Sequence, residues 1–364
     1  MTSLLEKRYR RVLRMLPASY RAQREEEIVD TYLQDFDEYE QDELRPTWRE
    51  VASIAALAVR TRTGGAGAAP RHVLAGATVR LFALLSILLH GARELTDRAL
   101  ALAYVSGAPA RDRDLFLGVF DGQQGVLSGV RETLLWLLPL CWVAAYAALL
   151  RDRRRTALVL SVLAALPALM FAVDWATGGP VRIDGFDIAF AASGWLTVLA
   201  LSCAFHSDAP AARLPAVRPG LALMAVCVLM GGSVVLWRDG ADSVWSSGTV
   251  CVLAGVLWWA AALVRGDRRG RSGEAPAGEA SAGGAGDPAV PLALALLSLV
   301  VLAERTGMLA LLVQSRMPAS YLYAAGAQAA VLAGLVVALG VAGGRLARRG
   351  QAPLPTREES GALE

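Results

Sequence analysis

The chain has 364 residues, 55% of them hydrophobic and 19% charged, with a formal net charge of +3. A mean hydropathy of +0.42 excludes an ordinary soluble domain and points to the membrane class, and so small a net charge carries no sign of direct nucleic-acid binding. Lys7 is the only lysine; it excludes a phosphate-binding loop and Schiff-base chemistry, because "LEKRYRR" sets no glycines before it.

Residues 1–62 read as a soluble helical part. A first helix over about 3–15 has Leu5, Val12, Leu13 and Leu16 on one face, and Pro17 restarts the chain. A second runs to about Tyr39, with Ile28, Tyr32, Leu33, Phe36 and Tyr39 as its apolar stripe. "RPTWRE" opens a third, with Thr47 as N-cap and Glu50 closing a capping box. Trp48, Val51, Ile54, Ala55 and Ala58 are its expected buried face. Short amphipathic helices bury such stripes only against one another or a partner.

Charge here is segregated, with a run of arginines from Arg8 to Arg24 and a run of acids from Glu25 to Glu43. Solvated helix faces that pair with each other explain this. A docking face for a soluble protein also does, with Arg10, Arg14 and Arg21 on one side and Glu25, Glu26, Glu27 and Asp30 on the other. The acidic run would repel phosphates.

"RTGGAGAAPRH" makes 63–72 a flexible linker. About eight apolar runs of membrane-crossing length follow, near 73–92, 132–150, 156–175, 188–205, 219–237, 248–264, 289–304 and 326–344. The first ends in "HGARELTDR" and continues as an amphipathic helix to about Val105; "MLALLVQ" extends the seventh or lies at the interface. Spans one to six occupy 73–264, and spans seven and eight occupy 289–344. Between them, 265–288 is a disordered cytoplasmic loop of low complexity, and 345–364 is a cytoplasmic tail. With the N-terminus inside, the inner segments after the first span hold fourteen basic residues and the outer ones seven. Arginine-rich loops stay in the cytoplasm, so both termini are expected there, in a multi-pass plasma-membrane protein. No secretory signal precedes the first apolar run. The fold class is therefore all-α: a polytopic helical membrane bundle behind a small three-helix cytoplasmic domain.

The spans are nearly free of ionisable groups, Arg80 being the clear exception. It is expected to snorkel toward cytoplasmic headgroups. Asp174 and Glu304 are placed at outer helix ends in reach of water. Pro139 and Pro167 lie within spans, where membrane helices tolerate a kink. Gly340 and Gly344 make a small-xxx-small pair for close packing within the chain or between copies. Asp174, Asp184, Asp187, Asp239 and Asp242 cluster toward the outer side. Interfacial Trp and the avoidance of arginine outside account for that pattern; a shallow cation-sensing pocket is the sharper reading. Cys141, Cys203, Cys227 and Cys251 sit singly in apolar runs, and His72, His90 and His206 stand far apart. No metal or cofactor site and no enzyme chemistry is expected.

The stretch "RYRRVLRMLPASYRAQREEEIVDTYL", followed by "RPTWREVASIAALAVRTR", resembles the HAAS-type helical domain at the front of multi-pass actinobacterial membrane proteins. Leu16, Pro17, Tyr20, Arg21, Glu25, Glu26 and Glu27 carry the resemblance, and Arg45-Pro46 stands where that family has a glycine-containing turn. It covers residues 6–62. It implies a cytoplasmic signalling module, often encoded beside PadR-like transcriptional regulators, and brings no catalytic residues. The expected function is regulatory or sensory, with a soluble partner docked on the N-terminal helices. A transporter or permease subunit without its own ATPase is the alternative.

Overall fold

The computed structural model describes residues 3–34, 44–65, 68–120, 126–177, 184–205, 247–271 and 287–350, with a few isolated residues elsewhere. Every element among them is helical: α1 (Leu4–Leu13), α2 (Ala18–Leu33), α3 (Trp48–Arg62), α4 (Pro70–Gly107), α5 (Ala110–Phe120), α6 (Val126–Leu137), α7 (Cys141–Leu150), α8 (Arg154–Ala176), α9 (Gly185–Ala204), α10 (Ser247–Arg271), α11 (Ala289–Gln314) and α12 (Ala319–Gly350). A 3-10 turn, Leu138–Leu140, joins α6 to α7. Among the described residues, six helical stretches are long and apolar enough to cross a membrane: 70–107, 128–150, 185–204, 248–265, 289–314 and 319–349. The third expected span corresponds to α8, some of whose side chains are undescribed, and the fifth, 219–237, falls almost wholly outside the described residues. The chain divides into two compact units, residues 1–83 with 199–213, and 84–198 with 214–364.

In the first unit, Tyr9, Leu13, Leu16, Val29, Ile54 and Ala58 form a buried core among α1, α2 and α3. The expected capping box is present. Thr47 Oγ1 accepts from the Glu50 amide and Glu50 Oε2 from the Thr47 amide, at 3.4 and 2.6 Å. Glu50 also accepts from the Tyr32 hydroxyl at 3.0 Å, while the Tyr32 ring stacks on Tyr9 with centroids 3.9 Å apart. Two expectations need correction. The second helix stops at Leu33 rather than Tyr39, and Phe36 turns back edge-on against Tyr32; Tyr39 itself lies outside the described residues. Trp48 is 86% exposed, because as the first residue of α3 it projects beyond the core that Ile54 and Ala58 reach.

The expected linker holds a tight corner. Gly64 takes φ +87°, which suits glycine, and the Gly65 amide donates to the Arg60 carbonyl at 2.9 Å. The Thr63 hydroxyl shares its one proton between the Val59 carbonyl of its own helix, at 2.8 Å, and the Cys203 carbonyl near the end of α9, at 3.1 Å. A Cβ on Gly76 would collide with the Thr63 carbonyl, so the end of α3 sits directly on the second turn of α4. Arg80 is buried in the protein rather than snorkelling along its surface.

In the second unit, tight reversals join consecutive helices. After α7 the Arg153 amide donates to the Ala148 carbonyl and the Asp152 amide to Leu149, with Asp152 at φ 55°. The same paired closure ends α11, with Arg316 at φ 53°. Helix α11 runs through "MLALLVQ" to Gln314, as one of the two readings of that stretch held. It packs against α12 where Gly343 gives Leu292 room, whereas a Cβ on Gly340 or Gly344 would meet nothing within 4 Å. Close packing within the chain therefore uses Gly343 and not the expected pair. Pro167 stays inside an unbroken α8, but Pro139 converts its surroundings to the 3-10 turn.

Candidate functional site

Helix α4 has 38 residues, about 57 Å at 1.5 Å per residue, nearly twice the ~30 Å hydrocarbon thickness. His90, Arg93, Glu94, Asp97 and Arg98 stand at i, i+3, i+4, i+7 and i+8 along it, so they share one face. Most of that face is turned into the protein: His90 and Glu94 are buried and Arg93 and Arg98 largely so, while Asp97 is exposed.

The centre is an ion pair between α4 and α11. Arg93 Nη1 donates to Glu304 Oε1 at 3.0 Å and Nη2 to Oε2 at 2.5 Å, a fork-to-fork arrangement. The two side chains are only 12% and 2% exposed. This corrects the sequence reading of Glu304 as a helix-end residue in water, and of the spans as nearly free of ionisable groups. Helix α11 continues ten residues beyond Glu304, and the carboxylate turns inward because Arg93 is there to neutralise it. On its other flank the Arg93 guanidinium lies 5.9 Å from the centroid of the Phe190 ring. Gly248 of α10 leaves the space it needs, since a Cβ there would stand 2.5 Å from Nη2.

One turn away, the His90 ring stacks on Trp142 of α7 at 4.7 Å and meets Phe190 of α9 edge-on at 5.8 Å. Its Nδ1 is buried and has no hydrogen-bond partner among the described residues. The Ser193 hydroxyl donates to the Phe190 carbonyl at 2.8 Å. Thr249 donates to Gln328 Oε1 at 3.3 Å, joining α10 to α12 with both side chains buried.

The outer part of the stripe has a structural explanation. Pro139 has no amide to give the Leu135 carbonyl, and the 3-10 turn Leu138–Leu140 takes the neighbouring amides out of the α-helical ladder that would serve Trp136. Arg98 serves the carbonyls left over, donating to Trp136 at 3.0 Å and Leu135 at 3.5 Å. It also pairs with Glu94 at 3.0 Å and lies over the Trp136 ring at 5.6 Å.

The residues proposed from sequence for docking fall in two groups. Arg10 is engaged on its own domain: it binds Glu6 at 2.9 Å, Glu26 at 2.9 and 2.7 Å and Glu25 at 3.6 Å. These carboxylates hold the Arg10 guanidinium more firmly charged than usual, and Arg10 holds Glu26 below the ordinary carboxylate range. Arg21 reaches Glu25 at 3.8 Å. Arg14, Glu27 and Asp30 stay exposed. Of the outer aspartates, Asp184 and Asp187 cap α9 reciprocally. Asp184 Oδ1 accepts from the Phe186 and Asp187 amides at 2.8 and 2.9 Å, and Asp187 Oδ2 from the Asp184 amide at 3.2 Å. The Asp174 side chain, Asp239 and Asp242 lie outside what is described, so the acidic cluster is not assembled among the described residues. Nor do three potential metal ligands gather there.

Comparison with protein-family models, curated proteins and solved structures finds no match. Several apolar helices of spanning length make this a multi-pass membrane protein in contact with the lipid bilayer.

Proposed function

We propose that the chain is a membrane-bound regulatory or sensory protein of eight spans with both termini in the cytoplasm. Its N-terminal helices, a HAAS-like domain, dock a soluble partner, with a PadR-like transcriptional regulator as first candidate. The observation that supports this most is the corner at Thr63: α3 ends on Gly76 of α4 and is tied by a hydrogen bond to Cys203 at the end of α9. A helix so placed would register a shift between those two membrane helices, and a signalling step requires contacts that differ between two states. The docking face is best assigned to Glu27 and Asp30, since Arg10, Glu25 and Glu26 are engaged with one another.

The test is a titration of the solubilised full-length protein with the PadR-like regulator encoded beside its gene. Binding that weakens at least tenfold in a Glu27→Lys, Asp30→Lys variant is expected. Equal binding by both forms, or a neighbourhood without such a regulator, removes the reading.

The second reading is a transporter or permease subunit without its own ATPase. The buried Arg93–Glu304 pair favours it, because intramembrane ionisable groups mark ion and substrate paths. Solute flux into proteoliposomes that Glu304→Gln abolishes would support it; no flux for any tested solute counts against it.

A further inference from the structure

The outward face of α1 carries a second arginine cluster that the α1–α2 ion pairs do not use. Leu4, Lys7, Arg8, Arg11 and Met15 recur at helical spacing on one arc, with Arg14 at its margin. Lys7, Arg11 and Arg14 are exposed, and Leu4 and Met15 are 47% and 39% exposed. Glu6 and Arg10 lie on the opposite side, toward α2. Arg8 Nη1 donates to the Leu44 carbonyl at 2.7 Å, which pins the start of "LRPTWRE" beside this face. Arg45, Trp48 and Arg49 follow Leu44 within five residues and are all exposed. Lys7, Arg11, Arg14, Arg45 and Arg49 make no ion pair among the described residues.

We propose that this basic, tryptophan-bearing face rests on the anionic phospholipid headgroups of the bilayer that the chain itself spans. Three features of the molecule select lipid over an acidic protein. The apolar members are scattered singly among cations, which suits insertion between headgroups rather than a packed protein interface. Trp48 presents an apolar ring with one polar N–H, the chemistry of an interfacial anchor. The corner at Gly64 and Gly76 holds α3 against the second turn of a spanning helix, so the headgroups are always within reach. Each basic side chain near an anionic leaflet is worth about fivefold in binding, and the attraction is screened by salt over about a Debye length. This inference does not depend on a soluble partner, and it leaves Glu27 and Asp30 to one.

The test uses the full-length protein in nanodiscs of phosphatidylcholine alone and of phosphatidylcholine with phosphatidylglycerol. Hydrogen exchange is followed at residues 4–15 and 44–50, and brominated lipid quenching is read as the difference between the native protein and Trp48→Phe. The expected result is slower exchange and Trp48 quenching in the anionic discs only, both reversed by high salt. Lys7→Gln with Arg11→Gln should weaken the effect roughly 25-fold, two charges at about fivefold each, with the exchange of the Val29 and Ile54 amides unchanged as the check on folding. Identical exchange in both discs, a Trp48 signal that brominated lipid does not touch, or protection that appears only when a soluble protein is added would each overturn the proposal.

Discussion

Glu304→Gln is the perturbation that most directly probes the interior of the membrane part. Glutamine keeps the size and one acceptor oxygen but removes the charge, and leaves the Arg93 guanidinium 12% exposed without its counter-ion. An exposed ion pair would contribute about 0–1 kcal/mol. Burial of both partners and the two-pronged geometry place this pair in the other regime, where breaking one side costs about 3–5 kcal/mol. The same physics says that replacing both ions with apolar groups of similar volume is close to neutral, because the desolvation of both disappears with their attraction. A double-mutant cycle of Arg93→Met and Glu304→Met should then show two costly single changes and a double change of about 0–1 kcal/mol, a coupling of roughly 5 kcal/mol or more. Equilibrium unfolding by SDS in mixed micelles measures all four corners. Single changes each below about 1 kcal/mol, or a double change equal to their sum, would refute the inference that this pair is buried and self-compensating.

Gly76→Val forces a branched side chain onto the Thr63 carbonyl; a loss of about 1–3 kcal/mol is expected, with faster amide exchange at residues 60–65 as the local signature. Burial and the bond to Glu50 raise the Tyr32 phenol above its ordinary value. Its contribution is therefore complete below the unfolded phenol pKa of about 10 and lost at higher pH, so Tyr32→Phe should cost about 1 kcal/mol at neutral pH and shift alkaline unfolding less steeply than in the native protein. Arg98→Leu exposes the Trp136 and Leu135 carbonyls to an apolar interior at about 1–3 kcal/mol. Adding Pro139→Ala restores an amide donor and should recover part of that loss. Arg316 holds φ 53° at the end of α11, so Arg316→Gly should raise stability by about 1 kcal/mol in the same unfolding assay.

Local rules carried the sequence reading where one residue's neighbours decide its state. The Thr47–Glu50 box depends on a spacing of three and is found as expected. The apolar runs located six spanning stretches, because lipid demands length and hydropathy and little else. Trp48 failed because apolar residues are expected inside, whereas its place at the very start of α3 decides its exposure. The second helix was extended because Phe36 and Tyr39 continue the stripe; a turn that folds Phe36 back onto Tyr32 satisfies the same apolar residue without a helix. The Arg93–Glu304 pair joins residues 211 apart, and nothing in either neighbourhood names the other. The stripe from His90 to Arg98 at spacings of three and four was the available signal, obscured because charges after an apolar run are ordinarily read as the helix leaving the membrane.

The polar groups on α4 do not all have the same reason to exist. Arg98 and Glu94 are accounted for by the backbone: Pro139 breaks the hydrogen-bond ladder, Arg98 serves the carbonyls so released, and Glu94 balances the charge brought in to do it. Arg93 and Glu304 answer no such deficit. Each is buried chiefly against the other, and a pair of apolar residues would hold α4 to α11 as well or better. A buried pair that stability does not require needs another cause. His90 sharpens the point, since it lies one turn from Arg93, clamped between Trp142 and Phe190 with its Nδ1 unpartnered among the described residues. An imidazole clamped by aromatic rings beside a buried ion pair is a polar set that a helix bundle bonded only by apolar contact does not have. Glu304 is therefore the residue of the membrane part whose change tests whether the pair has a role besides packing.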